Sequence, residues 1–320
     1  MATEESPWRG RIDSEDGEAG RRWHQVVEML PQQPRPGPAV VLLGLASDRG
    51  VQLNKGRPGA NEGPRALRAA LANMAWHHQL PIMDAGDVRV DTDLAAGQDA
   101  YAKRVAGHLD AGYFLVGLGG GHEIGWASYQ GCRRHLLNGN ARRRLGIINF
   151  DAHFDLRMPA PDPSSGTSFY QVARDCEARG QPFDYLCLGV APTANTRALY
   201  QRSEQLGAQY LGDLDCRGKL ANTLLERFLR PLDALYVTIC LDVFPPAHAP
   251  GVSAPSSPGV DPGWVLRTLL HIGELCRRLE LEWLMADVAE LSPPLDLDGR
   301  TARLGARLVD TCLLARFGPG

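Results

Sequence analysis

Apolar residues along this chain gather in short runs that are separated by amphipathic segments. Within each run nearly every position is apolar, which indicates strands covered on both faces rather than strands with one solvated side. The segments between the runs have room for crossover helices. The runs that predict strands cover residues 39–46, 113–120, 144–153, 185–191, 208–215, 234–244 and 282–291, and the clearest helical segments cover residues 64–77, 94–109 and 262–279.

Strands that alternate with helices in this way predict an α/β fold, a three-layer sandwich whose mostly parallel central sheet is flanked by helices. Residues 39–320 contain no long linker, so they are expected to form a single catalytic domain. Residues 1–38 are expected to form an N-terminal extension, with a short amphipathic stretch at 21–30 and a proline-rich connector at 31–38.

Charge and composition narrow the classes of partner. The 320 residues include 34 basic and 37 acidic side chains, so no positive excess favours nucleic acid or an anionic membrane. No apolar run approaches the length of a membrane span, which is about 18 residues. The acidic N-terminal segment lacks a secretory signal pattern, so a cytoplasmic protein is expected. The expected partner is a small-molecule substrate. Seven scattered cysteines without a CxxC pair predict buried, reduced thiols.

Four predicted strands end in polar clusters, where parallel sheets bind their ligands. The first is GGGHE at 119–123, whose glycines allow a tight or positive-φ backbone around His122, although a glycine-rich turn before a helix explains it equally well. The second contains Asp151, His153 and Asp155, which an extended chain would point to one side, within reach of one metal ion. An Asx turn with a helix cap at Asp155 is the alternative, but it explains only one aspartate.

The third and fourth clusters follow the last two predicted strands. Asp242 needs a partner there because a buried unpaired carboxylate is costly, whereas Cys240 is interpreted either as a ligand or as a small buried apolar residue. Glu290 could face the same crevice, or it could cap a helix. Imidazoles and carboxylates together suit hard or borderline divalent ions, and aspartates that can bridge favour two ions, with Mn²⁺ as the first choice.

The ordered motifs resemble the signature of the ureohydrolases, the family of arginase and agmatinase, over nearly all of residues 39–316. The motifs are GGGHE, DAHFD, TICLDVF and MADVAELSP. Further segments are most similar to the members that hydrolyse N-formimidoyl-L-glutamate to L-glutamate and formamide in histidine degradation; they lie at residues 8–13, 48–68, 118–131, 164–169 and 241–255.

The resemblance implies a role for each cluster. His122, Asp151 and Asp155 would bind one ion, and Asp151, His153 and Asp242 the other, with Asp151 bridging. Asp155 would also accept a proton from the metal-activated water that attacks the amidine carbon, and Glu290 would hold the amidine. Cys240 stands where most relatives have a bridging aspartate, so it is predicted as a ligand whose softness leaves the occupancy of the second ion open.

The substrate side of the prediction rests on charge. Phe169 stands where arginase-like and agmatinase-like relatives carry a histidine, so those two activities are less expected. Arg157 is similar to a position that contacts the substrate carboxylate in arginase, and a surface ion pair is its alternative. The other predicted substrate contacts are Ser165, Thr167 and Asn54, the last in a polar patch with Lys55 and Arg57.

Two other functions compete with this one. The first is a related ureohydrolase that acts on another guanidino or amidino acid. The second is a non-catalytic paralogue with an incomplete metal site, which Cys240 motivates. A homo-oligomer is left open, with the segment 302–317 as a candidate interface helix.

Overall fold

The computed structural model describes residues 6–31, 35, 37–140 and 142–318. In these residues a parallel sheet has the strand order β1-β3-β2-β4-β9-β8-β5-β6-β7. Its strands are β1 (Glu28–Met29), β2 (Val40–Ala46), β3 (Ile82–Arg89), β4 (Phe114–Gly119), β5 (Leu145–Phe150), β6 (Asp184–Val190), β7 (Gln209–Gly212), β8 (Ala234–Cys240) and β9 (Glu282–Ala289).

Helices cover both faces of the sheet. They are α1 (Trp23–Val26), α2 (Arg49–Leu53), α3 (Gly63–Ala72), α4 (Leu94–Asp110), α5 (Ile124–Gly139), α6 (Ser168–Ala178), α7 (Arg197–Leu206), α8 (Gly218–Leu229), α9 (Pro262–Leu279) and α10 (Arg300–Phe317). One apolar core lies under α3, α8, α9 and α10, and a second lies under α4, α5, α6 and α7. The predicted three-layer α/β sandwich is therefore confirmed.

The sequence pattern missed β3, although it found the other long strands. Two aspartates interrupt this strand, and a buried arginine on α3 neutralises them: Arg68 donates to both carboxylate oxygens of Asp84, at 2.8 and 2.9 Å, and to Asp87 at 2.6 Å. Burying a charge is costly, and a hydrogen-bonded partner of opposite charge offsets much of that cost. The apolar pattern therefore fails where an ion pair replaces apolar packing.

One helix prediction needs correction. The helix predicted at 64–77 ends at Ala72, because the residues that follow bind the N-terminal extension; the amide of Trp76 donates to the carbonyl of Arg21 at 2.9 Å. The candidate interface helix, α10, is largely buried against α3 and α9 of its own chain. In the described part of the chain, no helix combines the length and apolar character needed to cross a membrane.

The described residues before residue 38 pack onto the rest of the chain. Trp23 is fully buried and meets the ring of Trp76 edge-on, with centroids 5.1 Å apart, and β1 extends the sheet beside β3. The proline-rich connector predicted at 31–38 falls partly outside the described residues. The division at residue 38 into an extension and a catalytic domain stays a prediction.

Trp23→Ala should lower the free energy of unfolding by about 3–5 kcal/mol, because it removes a fully buried aromatic side chain. Denaturant unfolding followed by circular dichroism measures the loss. The matched control is Met29→Ala in the same segment, where the side chain is 67% exposed and the change should stay within about 0.5 kcal/mol. Equal effects of the two substitutions would mean that the extension is not part of the folded unit.

Candidate metal centre

The four predicted polar clusters meet at one edge of the sheet. They follow β4, β5, β8 and β9, and these strands are neighbours in the order β4-β9-β8-β5. Because all four are parallel, their carboxyl ends open into one cavity of about 300 Å³. The predicted residues that line it near the strand ends are His122, His153, Asp155, Cys240, Asp242 and Glu290.

Asp151 lies between the two imidazoles of the site. Its Oδ2 atom is 2.9 Å from Nδ1 of His122, and its Oδ1 atom is 3.5 Å from Nδ1 of His153. A second carboxylate approaches each ring: Oδ2 of Asp155 is 2.9 Å from Nδ1 of His122, and Oδ2 of Asp242 is 3.1 Å from Nδ1 of His153. The carboxylate of Asp151 therefore lies near both imidazoles, and its role as a bridging ligand stays a prediction.

Two buried polar atoms here lack hydrogen-bond partners among the described residues, namely Nδ1 of His122 and Oδ1 of Asp242. The nitrogen faces two carboxylates at 2.9 Å without bonding geometry to either. Buried polar atoms are nearly always satisfied, so such orphans need an explanation. Nitrogen and oxygen atoms that converge without hydrogen bonding to one another are suited to bind a divalent ion between them.

Donor atoms within 4.8 Å of one another form two such groups, Asp151 with His153 and Asp242, and His122 with Asp151 and Cys240. The first group is the predicted ligand set of one ion. The second contains Cys240, whereas the resemblance places Asp155 beside His122 and Asp151. Nitrogen and oxygen donors predominate, and they suit Mn²⁺ and similar ions. The donors together therefore support a binuclear metal site.

Turns, rather than extended chain, bring these side chains together. β5 ends at Phe150, so the argument from strand alternation over residues 151–155 was wrong. The amide of His153 donates to Oδ1 of Asp151 at 2.7 Å, which is the Asx turn considered as an alternative, and Asp155 has φ of +49°. Asp151 thus both stabilises the turn and faces His122.

Backbone strain concentrates at this cavity. Four described residues other than glycine have positive φ, and three of them line the cavity: Lys55 at +62°, Asp155 at +49° and Glu290 at +71°. Such conformations cost of order 1–3 kcal/mol each and cluster at functional sites. Lys55 therefore shares both the strain and the cavity with Asp155 and Glu290, although it lies far from them in the sequence.

The glycines of GGGHE permit close packing. None of residues 119–121 has positive φ, so the positive-φ reason suggested by the sequence does not apply. A Cβ on Gly120 would lie 1.8 Å from the carbonyl oxygen of Ser47, and one on Gly121 would lie 2.0 Å from Oε2 of Glu123. Glu123 in turn accepts from Ser47 Oγ at 2.7 Å and the Gly50 amide at 2.9 Å. This packing joins the first loop to the site.

A hydroxyl that the sequence analysis missed orients His122. Because Nδ1 faces the carboxylates, the ring's Nε2–H donates to Oγ1 of Thr238 at 3.0 Å. One oxygen of Glu290 accepts from the backbone amide of His122 at 2.7 Å. The sequence feature that could have identified Thr238 is its polar side chain within an otherwise apolar strand, two positions before Cys240. Partners of this kind hold the ring and tautomer of a metal ligand.

Burial and neighbouring charge shift the ionisation of the site. Burial alone would lower the pKa of His122, but Asp151 and Asp155 outweigh it and raise that pKa well above the usual range. Burial raises the pKa of Glu290 to about 8, and the charge of Asp242 adds to the rise. The site therefore concentrates negative charge that a bound cation would offset.

The thiol of Cys240 has a strongly raised pKa for related reasons. Burial contributes most, and the charges of Asp151, Asp242 and Glu290 add to it. Without a cation the side chain is therefore a neutral thiol.

The wall of the cavity carries cations. Lys55, Arg57 and Arg157 line it with Asn54 and Ser165. The guanidinium of Arg57 donates to the carbonyls of residues 252 and 253, whereas no described residue forms an ion pair with Arg157 or Lys55. The alternative of a surface ion pair for Arg157 therefore finds no support in the described residues.

Two predicted positions lie outside the cavity. The hydroxyl of Thr167 donates to the carbonyl of Ser164 and contacts Gln171, so it stabilises a turn and does not reach a ligand. Phe169 is buried behind His122, with ring centroids 5.5 Å apart, and stacks on Tyr185 at 4.6 Å. An apolar ring therefore packs against His122 at this place.

Known proteins resemble this chain over nearly its whole length. Residues 38–315 match the model of the arginase family. The formimidoylglutamase of Aeromonas hydrophila is 49% identical over 308 residues, 95% of this chain and 96% of that protein. The formimidoylglutamase of Aromatoleum aromaticum is 47% identical over 316 residues, 95% of this chain and 90% of that protein.

Solved structures agree on the fold. The formimidoylglutamase of Bacillus subtilis has a TM-score of 0.79 at 19% identity and covers 92% of each chain. The formiminoglutamase of Trypanosoma cruzi with Mn²⁺ has a TM-score of 0.75 at 22% identity, covering 89% of this chain and 95% of that chain.

Thr238→Val should weaken metal binding by about 10- to 100-fold, because it removes the acceptor that orients His122 while nearly keeping the side-chain shape. Equilibrium dialysis with metal analysis measures the affinity. Thr238→Ser keeps the hydroxyl and should bind metal like the unsubstituted protein. If valine and serine bind metal equally well, the hydroxyl does not orient the ligand.

Proposed function

The chain belongs to the arginase family, and we propose that it hydrolyses N-formimidoyl-L-glutamate to L-glutamate and formamide. The observation that carries this proposal is the division of charge in the cavity. Carboxylates and imidazoles lie at the strand ends, while Lys55, Arg57 and Arg157 line the wall. The substrate has the same division, with a cationic amidine at one end and two carboxylates at the other. The similarity to the formimidoylglutamases of Aeromonas hydrophila and Aromatoleum aromaticum supports this substrate.

In this proposal two divalent ions occupy the strand ends. His122, Asp151 and Asp155 hold one, and Asp151, His153 and Asp242 hold the other. Mn²⁺ is the proposed ion because nitrogen and oxygen ligands predominate. The bound ions supply Lewis acidity, which makes a water nucleophilic at neutral pH. The remaining steps belong to the side chains of the cavity.

Asp155 and Glu290 perform the acid–base and positioning work. Asp155 faces the metal site from the strained turn, so its carboxylate can orient the attacking water and accept its proton. Glu290 is fixed through its bond to the backbone amide of His122. The charge of the bound ions and of the protonated amidine would lower its raised pKa, so that its carboxylate pairs with the amidine. The amidine carbon then lies between the two carboxylates, and the glutamate amine leaves after protonation.

The cations of the wall bind the glutamate half. Arg157 can clamp a carboxylate with two parallel hydrogen bonds, and Lys55 supplies a second positive charge. Ser165 and Asn54 add neutral donors at the same wall. The amide of Arg157 donates to the carbonyl of Gly166 at 2.9 Å, so a backbone hydrogen bond joins the loops that carry Arg157 and Ser165.

A different guanidino or amidino acid is the second candidate substrate. The same cationic wall favours it, because any substrate with a carboxylate would find a partner there. The converging donors argue against a non-catalytic paralogue. A cytoplasmic location and assembly into a homo-oligomer remain predictions.

The deciding experiment is a formamide-release assay on chelated protein, before and after Mn²⁺ is added, with arginine and agmatine as alternative substrates. We expect turnover of N-formimidoyl-L-glutamate only after Mn²⁺ is restored. Asp242→Asn removes one ligand charge and should abolish turnover, whereas Asp261→Asn on the exposed end of α9 should not. Release of urea from arginine or agmatine instead would overturn the substrate assignment.

Arg157→Gln and Lys55→Gln should each raise KM about tenfold or more, because each removes a charged hydrogen-bond donor from a substrate carboxylate. Steady-state kinetics measure KM and kcat separately, and kcat should change less. Arg174→Gln, whose side chain pairs with Glu177 at the surface, is the matched control. An unchanged KM in both cavity variants would show that the carboxylates bind elsewhere.

A further inference from the structure

Glu123 is a buried carboxylate that the proposed reaction does not use. It is fully buried, and it is not among the described residues that line the cavity. Its Oε1 atom accepts from Oγ of Ser47 at 2.7 Å and from the amide of Gly50 at 2.9 Å. Both donors belong to the loop of residues 47–59, which carries Lys55 to the cavity wall. Burying a carboxylate is costly, and these two bonds to the loop offset part of the cost.

Two glycines leave the room that this carboxylate occupies. A Cβ atom on Gly50 would lie 2.6 Å from Oε2 of Glu123, and one on Gly121 would lie 2.0 Å from the same oxygen. Both distances are shorter than real Cβ contacts. Any larger residue at these positions would displace either the carboxylate or the loop, so the backbone of the loop is fitted closely to Glu123.

A short chain of hydrogen bonds links Glu123 to the residues at the cavity wall. The amide of Gly50 donates to Glu123, and the carbonyl of Gly50 accepts from the amide of Asn54 at 2.9 Å. The amide of Lys55 donates to the carbonyl of Gln52 at 2.9 Å. Lys55 has φ of +62°, which is unfavourable for a residue with a side chain and persists only where the surrounding structure holds it. Glu123 thus restrains the turn that brings Asn54 and Lys55 to the cavity.

The far end of the loop is held by other groups. Oδ2 of Asp48 accepts from the amide of Gly59 at 2.7 Å and so closes the loop, and the guanidinium of Arg57 donates to the carbonyls of residues 252 and 253. Loss of the Glu123 acceptor should therefore loosen residues 50–55 while the loop stays attached at its end.

The loop also meets Arg157 at the wall. A Cβ atom on Gly166 would lie 3.0 Å from Nδ2 of Asn54 and 2.9 Å from Cδ of Arg157, so both side chains lie against the same glycine. The loop and Arg157 therefore form one part of the wall, where the proposed function places the substrate carboxylates.

We propose that Glu123 is a positioning residue that sets the affinity for the substrate carboxylates. It holds residues 50–55 so that Lys55 lines the cavity, and it does not touch the substrate itself. The loop requires an acceptor oxygen at residue 123 rather than a negative charge, because both donors to Glu123 are neutral. This inference rests on the proposed function, which assigns the carboxylates to the wall.

The test compares Glu123→Met, which has a similar shape without an acceptor, with Glu123→Gln, which keeps an acceptor oxygen. Isothermal titration calorimetry measures the binding of L-glutamate to the Mn²⁺-loaded full chain. We expect Kd to rise about tenfold or more with methionine and to stay within about twofold with glutamine. Ser47→Ala removes one of the two donors at a position distant in sequence from His122, so it should raise Kd even if the methionine variant loses Mn²⁺ or fails to fold.

A double-mutant cycle separates positioning from a general loss of stability. Because Glu123 acts through Lys55, Glu123→Met combined with Lys55→Gln should bind L-glutamate within about twofold of Lys55→Gln alone. Effects of the two substitutions that multiply would overturn the proposal.

Hydrogen–deuterium exchange of peptides that cover residues 47–59 measures the restraint without any ligand. Exchange should be about tenfold faster in Glu123→Met, while Glu123→Gln should exchange like the unsubstituted protein. Unchanged exchange in the methionine variant would overturn the proposal, and so would faster exchange with an unchanged Kd.

These measurements do not depend on turnover. The expected changes in a protein that releases no formamide would support the positioning role and reject the proposed function. Formamide release without these changes, or without L-glutamate binding to the unsubstituted protein, would reject the positioning role and leave the proposed function intact.

Discussion

The carboxylate of Asp151 is a negative charge at the end of a buried strand, and the arrangement around it follows from the need to compensate that charge. An isolated buried carboxylate is too costly to retain, so every nearby element supplies a partner. His122 and His153 supply imidazoles, Asn149 donates its amide at 3.1 Å, and the His153 backbone donates at 2.7 Å. These partners follow β4 and β5, which the strand order places on the two sides of the pair β9 and β8, with all four carboxyl ends at one edge of the sheet.

The groups that compensate the charge of Asp151 keep their positions only if the surrounding structure is rigid. The strained turns at Asp155 and Glu290 persist only if the surrounding structure holds them, since each conformation is unfavourable by itself. This rigidity comes from the two apolar cores on the faces of the sheet and from close contacts such as that of Gly120 with Ser47. The free energy gained by burying apolar side chains far from the cavity therefore stabilises the strained turns at Asp155 and Glu290.

Sequence reasoning predicts the strands and the polar clusters well, because doubly covered parallel strands are apolar throughout and their carboxyl ends carry the chemistry. It fails where tertiary partners decide the outcome. Asp84 and Asp87 of β3 are neutralised by Arg68, which lies on α3. The convergence of Asp151 and Asp155 depends on a turn, and the position of Cys240 outside both cores appears only when the cores are assembled. Local pattern contains none of these three facts.

The division of charge in the cavity also explains how one fold can separate chemically similar substrates. Agmatine is cationic at the end opposite its guanidinium, so binding it would bring that charge toward Lys55, Arg57 and Arg157. Like charges repel one another in a partly enclosed cavity. This repulsion lowers the affinity for the wrong substrate, and it contributes to specificity as a favourable contact with the right substrate does. A dicarboxylate instead neutralises the same wall. In the proposed function the cationic wall would therefore select the substrate by rejecting cationic alternatives, while the metal centre would set which bond is hydrolysed.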